Sequence, residues 1–270
     1  MEAEGRTLPI VWNGQKNQDI MIPKVFHLCW LSGDPYPKQI KFCIDSWKKY
    51  NPDYEIVLWD TKRFDVNSTP WTAQAFKAGK YAFVADYIRL YAVYNYGGIY
   101  LDSDVEVIRS FDDVLHLPYF IGSETVPDSI EIAAFGAEKG NHWVKAGLDY
   151  YKDRNFIRED GEMDLEVQPR IMSNIISEKF KWVFINSPEE VVPDEDKFCI
   201  FPCDWFSAHP INSEGAVYYK VTENTHSIHH YAGLWRDIEY PGGPLHKLFY
   251  KLTGTDWRLT KRWFTLYGKK

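Results

Sequence analysis

No apolar run of 18 residues occurs anywhere in the 270, so no stretch reads as a membrane span. The first residues, MEAEGRTLPIVWNG, show no basic region followed by an apolar run. No secretory leader is visible there, and the cytoplasm is the expected compartment. Cysteine is scarce: Cys29, Cys43, Cys199 and Cys203 are too few for a disulfide framework at this length. The Cys199-x-x-x-Cys203 pair has no second Cys or His pair at a spacing that would complete a zinc site, so these read as buried free thiols. Internal repeats and low-complexity segments are not evident. Positive charge is also lacking: a net charge of −7 argues against nucleic-acid binding as the main task.

One region reverses that balance. Residues 246–270 carry seven Lys and Arg against the single acid Asp256, a net of +6 that leaves −13 for the rest. Trp257, Trp263, Phe264 and Tyr267 are interleaved with the cations. Such a segment fits either a helix lying on an anionic membrane surface or a terminal helix docked on the domain with a solvated basic face. The first alternative would place the protein at the inner face of a membrane.

What is present suits a globular domain. Apolar residues at 45% and charged residues at 26% support one domain with a full core. The expected organisation is a polar lead-in over 1–20, a single domain over 21–245 and the basic aromatic tail over 246–270. Aromatics reach 17%, and their rings serve both for core packing and for stacking on bases and sugar faces.

Elements alternate early. Val25–Leu31 reads as a buried strand, residues 37–50 as an amphipathic helix through Ile40, Cys43, Ile44 and Trp47, and Tyr54–Asp60 as a second strand. This alternation argues for an α/β fold with parallel strands. Asn67-Ser68-Thr69-Pro70 starts a short helix. Strands are expected at 119–124 and 130–135, and helices at 141–152 and 168–179. The charged segment 154–166 reads as a loop able to act as a lid, and 180–205 as short strands broken by prolines.

The chemistry gathers in Tyr81–Arg109. Phe83, Tyr87, Leu90 and Tyr94 recur at helical spacing, and Asp86 and Arg89, three apart, share a face. Asn95-Tyr96-Gly97-Gly98 ends the helix, with glycine supplying a left-handed cap. Ile99–Ile108 then alternates as a strand, which puts Asp102 and Asp104 on one face about 7 Å apart. Two carboxylates so placed repel unless a cation lies between them, and a divalent ion whose other positions take phosphate oxygens is the natural partner.

Ala85-Asp86-Tyr87-Ile88-Arg89 followed by Tyr96-Gly97-Gly98-Ile99-Tyr100-Leu101-Asp102-Ser103-Asp104 resembles the signature of glycosyltransferases with a DXD sugar-binding region, glycosyltransferase family 32. That group includes initiating mannosyltransferase, α-1,4-galactosyltransferase and capsular-polysaccharide types, and the catalytic domain of the clostridial glucosylating toxins is similar. Ile22-Pro23-Lys24-Val25-Phe26-His27-Leu28-Cys29-Trp30 resembles the family's first strand. Ser227-Ile228-His229-His230-Tyr231-Ala232-Gly233-Leu234-Trp235 resembles its C-terminal histidine motif, with Leu234 where the family has serine.

The resemblance implies a GT-A type single domain: a Rossmann-like nucleotide-binding half and a mixed central sheet flanked by helices. It implies a retaining transfer from a nucleotide sugar, a UDP-hexose ahead of GDP-mannose, to a polysaccharide or lipid-linked oligosaccharide. A protein acceptor, or a catalytically silent sugar- or nucleotide-binding module, is the alternative. Catalytic roles are implied for Asp86, Arg89 and Asp102. Donor contacts are implied for Phe26, Trp30, Asp86, Arg89, Gly98, Tyr100, Asp102, Ser103 and Trp235. Mn²⁺ or Mg²⁺ would lie on Asp102, Asp104 and His229, with His230 as the alternative, because strand alternation lets only one of the two histidines face the site.

Overall fold

Strand β1 (Val25–Cys29) sits inside the sheet, and its three middle residues are buried. It pairs in parallel with β2 (Glu55–Trp59) on one side, Val25 opposite Glu55, and with β3 (Gly98–Leu101) on the other, Phe26 opposite Ile99. Helix α1 (Lys38–Tyr50) makes the first crossover; α2 (Pro70–Lys77) and α3 (Tyr81–Tyr96) make the second. Thr69 starts α2 by accepting a hydrogen bond from the Thr72 amide, with Pro70 in the first turn where no amide is needed. The computed structural model describes residues 21–124, 128–192, 194–208, 210–213, 216–219 and 221–231; the lead-in 1–20, Trp235 and the tail 246–270 lie outside them.

The sheet turns antiparallel after β3. Short β4 (Val105–Val107) leaves it, and β5 (Tyr119–Ser123) and β6 (Ile130–Ala137) complete the order β2-β1-β3-β6-β5. This is the mixed α/β class expected, with parallel pairing confined to β1, β2 and β3. The β5–β6 register jumps from Ile121↔Phe135 to Gly122↔Glu131, so residues 132–134 form a bulge. Helices α4 (His142–Tyr151) and α5 (Gln168–Lys179) pack with α3 and on β6. Then come β7 (Lys181–Phe184) with β8 (Lys197–Ile200) in parallel, and β9 (Pro210–Ser213) with β10 (Ala216–Tyr219) antiparallel. The last strand, β11 (Ser227–His229), pairs antiparallel with β4. Among the described residues no helix is long and apolar enough to cross a membrane.

Two local expectations change. Residues 99–108 are not one strand: β3 stops at Leu101, the chain turns through Asp102, Ser103 and Asp104, and β4 starts a different ladder. The Val105 amide closes that turn on the Asp102 carbonyl at 2.9 Å. The segment 154–166 is an arch rather than a free loop. Ile157 bridges to Met163, and Arg154 and Arg158 clamp the buried Asp164 at 2.9 and 3.4 Å.

His27 shows how tightly the β1–β3 seam is built. The Trp59 indole donates to its Nδ1 at 3.1 Å, so Nε2 carries the proton and donates to the Gly97 carbonyl at 2.8 Å. Burial pushes the imidazole down to about 4 from 6.5. The folded state therefore resists a proton that the unfolded chain accepts, and stability is lost as pH falls from 6.5 towards 4. Urea unfolding at pH 7 and pH 4.5 should differ through this residue by a few kcal/mol, and His27→Gln should flatten the slope.

Candidate active site

Because β1 lies between β2 and β3, the chain leaves β1 to one side and returns on the other. Ligands of open α/β sheets bind beyond the strand ends at such a switch. Trp30 follows β1 and Asp102 follows β3, so both stand at that crevice. Trp30 is half-buried; its indole donates to the Asp34 carbonyl at 2.8 Å, and its ring meets Tyr36 edge to face at 4.9 Å.

The turn after β3 gathers the charged groups. One ligand atom each from Asp102, Asp104 and His229 lies within 4.8 Å of the others. The backbone explains the convergence. The Asp102 amide is held by the Ala133 carbonyl at 2.8 Å, and the Asp104 carbonyl accepts from the His230 amide at 3.1 Å. The pairing of His229 with Val105 then brings the imidazole Nε2 to 3.6 Å from Asp104 Oδ1. His230 falls on the opposite face and pairs with Glu106 at 3.0 Å, so of the two histidines it is His229 that joins the aspartates.

Helix α3 braces this turn from below. Arg89 reaches Asp86 Oδ1 at 3.2 Å, Asp102 Oδ1 at 3.3 Å and the Ile132 carbonyl at 3.1 Å, and its guanidinium lies 4.8 Å from the Tyr100 ring centre. The Tyr100 hydroxyl donates to the same Asp102 oxygen at 2.8 Å. Asp102 is thus held by one oxygen, which leaves the other for a ligand. Burial pushes the Asp86 carboxyl up to about 7, with Arg89 opposing and Asp102 reinforcing the rise. Gln168 ties α5 to the same place by donating to the Asp86 carbonyl at 2.6 Å.

A further carboxylate, Glu131 on β6, stands behind His229. Its Oε2 lies 3.6 Å from His229 Nδ1 and accepts from the Tyr231 hydroxyl at 2.6 Å; its Oε1 accepts from the Ala133 amide at 2.8 Å. Burial alone would raise the Glu131 carboxyl, but the His229 charge and the hydrogen bonds hold it down at about 2. Burial alone would lower the His229 imidazole, but Asp104 and Glu131 on either side keep it well above its ordinary value. A field that retains a proton at this point also favours a cation. Two carboxylates with one imidazole suit Mn²⁺ or Mg²⁺ coordination completed by oxygen ligands, so the residues present fit the expected ion.

Two expected donor contacts lie in the interior instead. Phe26 is fully buried, stacked on Tyr54 at 4.8 Å and packed on Trp47 and Phe111, where such a ring contributes roughly 1.5–3 kcal/mol of burial. Gly98 is buried at φ +104°, and a Cβ there would meet the Val25 carbonyl at 2.8 Å and His27 Nε2 at 3.2 Å. Its smallness seats β3 against β1. Tyr100, also buried, acts on the site through Asp102, while Ser103 is half-exposed on the turn.

Residues 37–121 match the family described as the glycosyltransferase sugar-binding region containing DXD motif. The matched stretch is less than a third of the chain. That match takes in Asp86, Arg89, Asp102 and Asp104; Trp30, Glu131 and His229 lie outside it. Inositol phosphoceramide mannosyltransferase 3 of Schizosaccharomyces pombe is 36% identical over 135 residues, 47% of this chain and 36% of that protein. Mannosyl phosphorylinositol ceramide synthase CSH1 of Saccharomyces cerevisiae is 31% identical over 147 residues, 51% and 38% of the two chains. The match thus spans little more than a third of the length of these curated relatives. Among solved structures, the PaToxG glycosyltransferase is 20% identical with a TM-score of 0.45, over 58% of this chain and 69% of that one.

Glu131 and the role of Tyr231 escape the sequence reading. The available signal was a lone charge in the otherwise apolar run Ile130–Ala137, every residue of which is buried. A buried acid in a central strand needs a partner, but no spacing rule connects residue 131 with residue 229.

Proposed function

We propose that this chain is a metal-dependent glycosyltransferase that moves a hexose from a nucleotide sugar to a hydroxyl of a glycan or a lipid-borne acceptor. One observation carries the reading: Asp102, Asp104 and His229 converge at the crevice where a DXD turn meets the carboxyl end of β1. Asp102, Asp104 and His229 would hold Mn²⁺ or Mg²⁺. The bound ion supplies Lewis-acid stabilisation of the charge that develops on the departing nucleoside diphosphate.

The chain's own residues do the rest. Arg89 and Tyr100 keep the Asp102 carboxylate from swinging away from the turn. Trp30 offers a ring face at the neighbouring strand end for the base, uracil or guanine alike. Asp86, paired with Arg89, would orient the donor sugar's hydroxyls. The two yeast relatives are named for mannose and inositol phosphoceramide. GDP-mannose therefore joins the UDP-hexoses as a donor to try, and an inositol-phosphate lipid headgroup joins the polysaccharides as an acceptor.

A donor screen tests this. Purified protein with Mn²⁺ is offered UDP-glucose, UDP-galactose, UDP-N-acetylhexosamines and GDP-mannose, and release of UDP or GDP is followed. Metal-dependent release from one donor is expected. Absence of release from all of them, with no nucleotide binding by calorimetry, would leave a silent binding module.

A further inference from the structure

Glu131 is a buried carboxylate in the wall of the crevice, and it belongs to none of the motifs that mark the site. Its surroundings point to a role other than attack on a sugar. It is 4% exposed, Oε1 is taken by the Ala133 amide, and Oε2 is taken by the Tyr231 hydroxyl with His229 alongside. A carboxylate so buried and so engaged is held in place. What it faces instead is the far nitrogen of an imidazole whose near nitrogen faces Asp104.

We infer that Glu131 is a positioning residue that, locked by Tyr231, keeps Nδ1 of His229 turned towards itself and Nε2 towards Asp104, so that Nε2 is the nitrogen that ligates when a divalent cation binds. The inference rests on the metal reading above and deepens it. An imidazole can ligate through only one nitrogen while the other holds a proton, and the hydrogen-bond partner of the second nitrogen decides which is which. A carboxylate behind the ring also makes the ligating nitrogen more basic. The Nδ1–Oε2 separation of 3.6 Å is just beyond hydrogen-bond length, so a small rotation of the ring closes it.

Two features show that the arrangement is built. The first is the bulge in β6. Its jump of register begins at Glu131, and the bulged residues serve the site directly: Ile132 accepts from Arg89, Ala133 accepts from the Asp102 amide, and the Ala133 amide holds Glu131 itself. A bulge re-aims the side chain beside it. The second is the backbone of Tyr231, which takes φ +48°, an uncommon left-handed conformation for a residue with a ring. That turn lays the ring over His229, with centres 3.8 Å apart, while its hydroxyl reaches Glu131. Strain of this kind persists where the surroundings enforce it.

The test is Mn²⁺ titration by calorimetry on the wild type, Glu131→Gln and Tyr231→Phe, with ¹⁵N spectra of the histidine side chains and thermal melts alongside. Glu131→Gln should weaken Mn²⁺ binding by about 10- to 100-fold. It should also shift the His229 nitrogen signals towards a mixture of tautomers. Tyr231→Phe should move both readouts the same way by less, and Glu131→Asp should recover part of the affinity. A merely structural role for Glu131 would lower the melting temperature without moving the tautomer signals. If Glu131→Gln fails to fold, Tyr231→Phe decides by the same two readouts. Wild-type affinity and unchanged nitrogen signals in the folded variants would overturn the inference while leaving the metal site intact. A wild type that binds no Mn²⁺ would overturn the metal reading itself, and this inference with it.

Discussion

Replacing Asp104 with asparagine will reduce metal-dependent release of nucleoside diphosphate by about a thousandfold or more, with the fold unchanged. The residue lies at the end of a turn, not inside a strand, and asparagine fills the same space. Its Oδ1 is the group that His229 Nε2 faces at 3.6 Å, and its backbone carbonyl, which anchors β11 through the His230 amide, survives the substitution. Asparagine keeps the shape and removes the charge. The remaining set, one carboxylate and one imidazole, binds a divalent ion more weakly, and the lost stabilisation of a leaving diphosphate amounts to several kcal/mol. At about 1.36 kcal/mol for each factor of ten, such a loss is three or more decades in rate. Nucleotide release with Mn²⁺ and with a chelator, beside a thermal melt of both proteins, checks it. Undiminished turnover with an unchanged melt would show that the DXD turn shapes the crevice without binding the ion.

The second large effect is on stability. Replacing Arg89 with methionine will lower stability by roughly 3–5 kcal/mol, the range for removing one partner of a buried ion pair. Arg89 is 6% exposed and serves two carboxylates, Asp86 and Asp102, that burial already holds above their ordinary range. Methionine matches much of its length but leaves both acids without a countercharge. For a protein of this size that corresponds to a fall in melting temperature of about ten degrees. The sign of the pH effect follows. Asp86, already at about 7 with Arg89 in place, rises further without it and takes up a proton in the folded state. The penalty in Arg89→Met should therefore shrink as pH falls from 8 to 5.5, and Asp86→Asn in the same background should recover part of it. Chemical unfolding of the three proteins across that range measures both. A pH-independent difference would mean that lost packing, not unpaired charge, is the cause.

Much of this was legible in the order of residues. The spacing Asp86-x-x-Arg89, the Gly97-Gly98 break and the Asp102-x-Asp104 pair lie within about twenty positions, and each was read by a local rule: helical periodicity, a left-handed cap, strand alternation. Local rules act over a few residues, so α3, β1 and β2 could be read before any coordinates. The same reasoning overreached where a local pattern was shared by two structures. Alternation through residues 99–108 described a continuous strand equally well. Only the end of pairing with β6 at Leu101 and the capture of Val105–Val107 by β11 put the two aspartates on a turn, where their oxygens approach each other.

Tertiary structure alone decided three further things. It selected His229 over His230, because pairing with Val105 fixes which face each occupies and Glu106 takes the other. It withdrew Phe26 and Gly98 from the ligand, since a strand buried on both faces uses its aromatic ring and its missing side chain for packing. It brought Glu131 to His229 from 98 residues away in the chain. Sequence periodicity reports which face of an element is apolar; it carries no information on which distant element meets that face. The residues of the candidate site were set by the sequence, and the contacts that make them a site by the way β3, β4, β6 and β11 close around one turn.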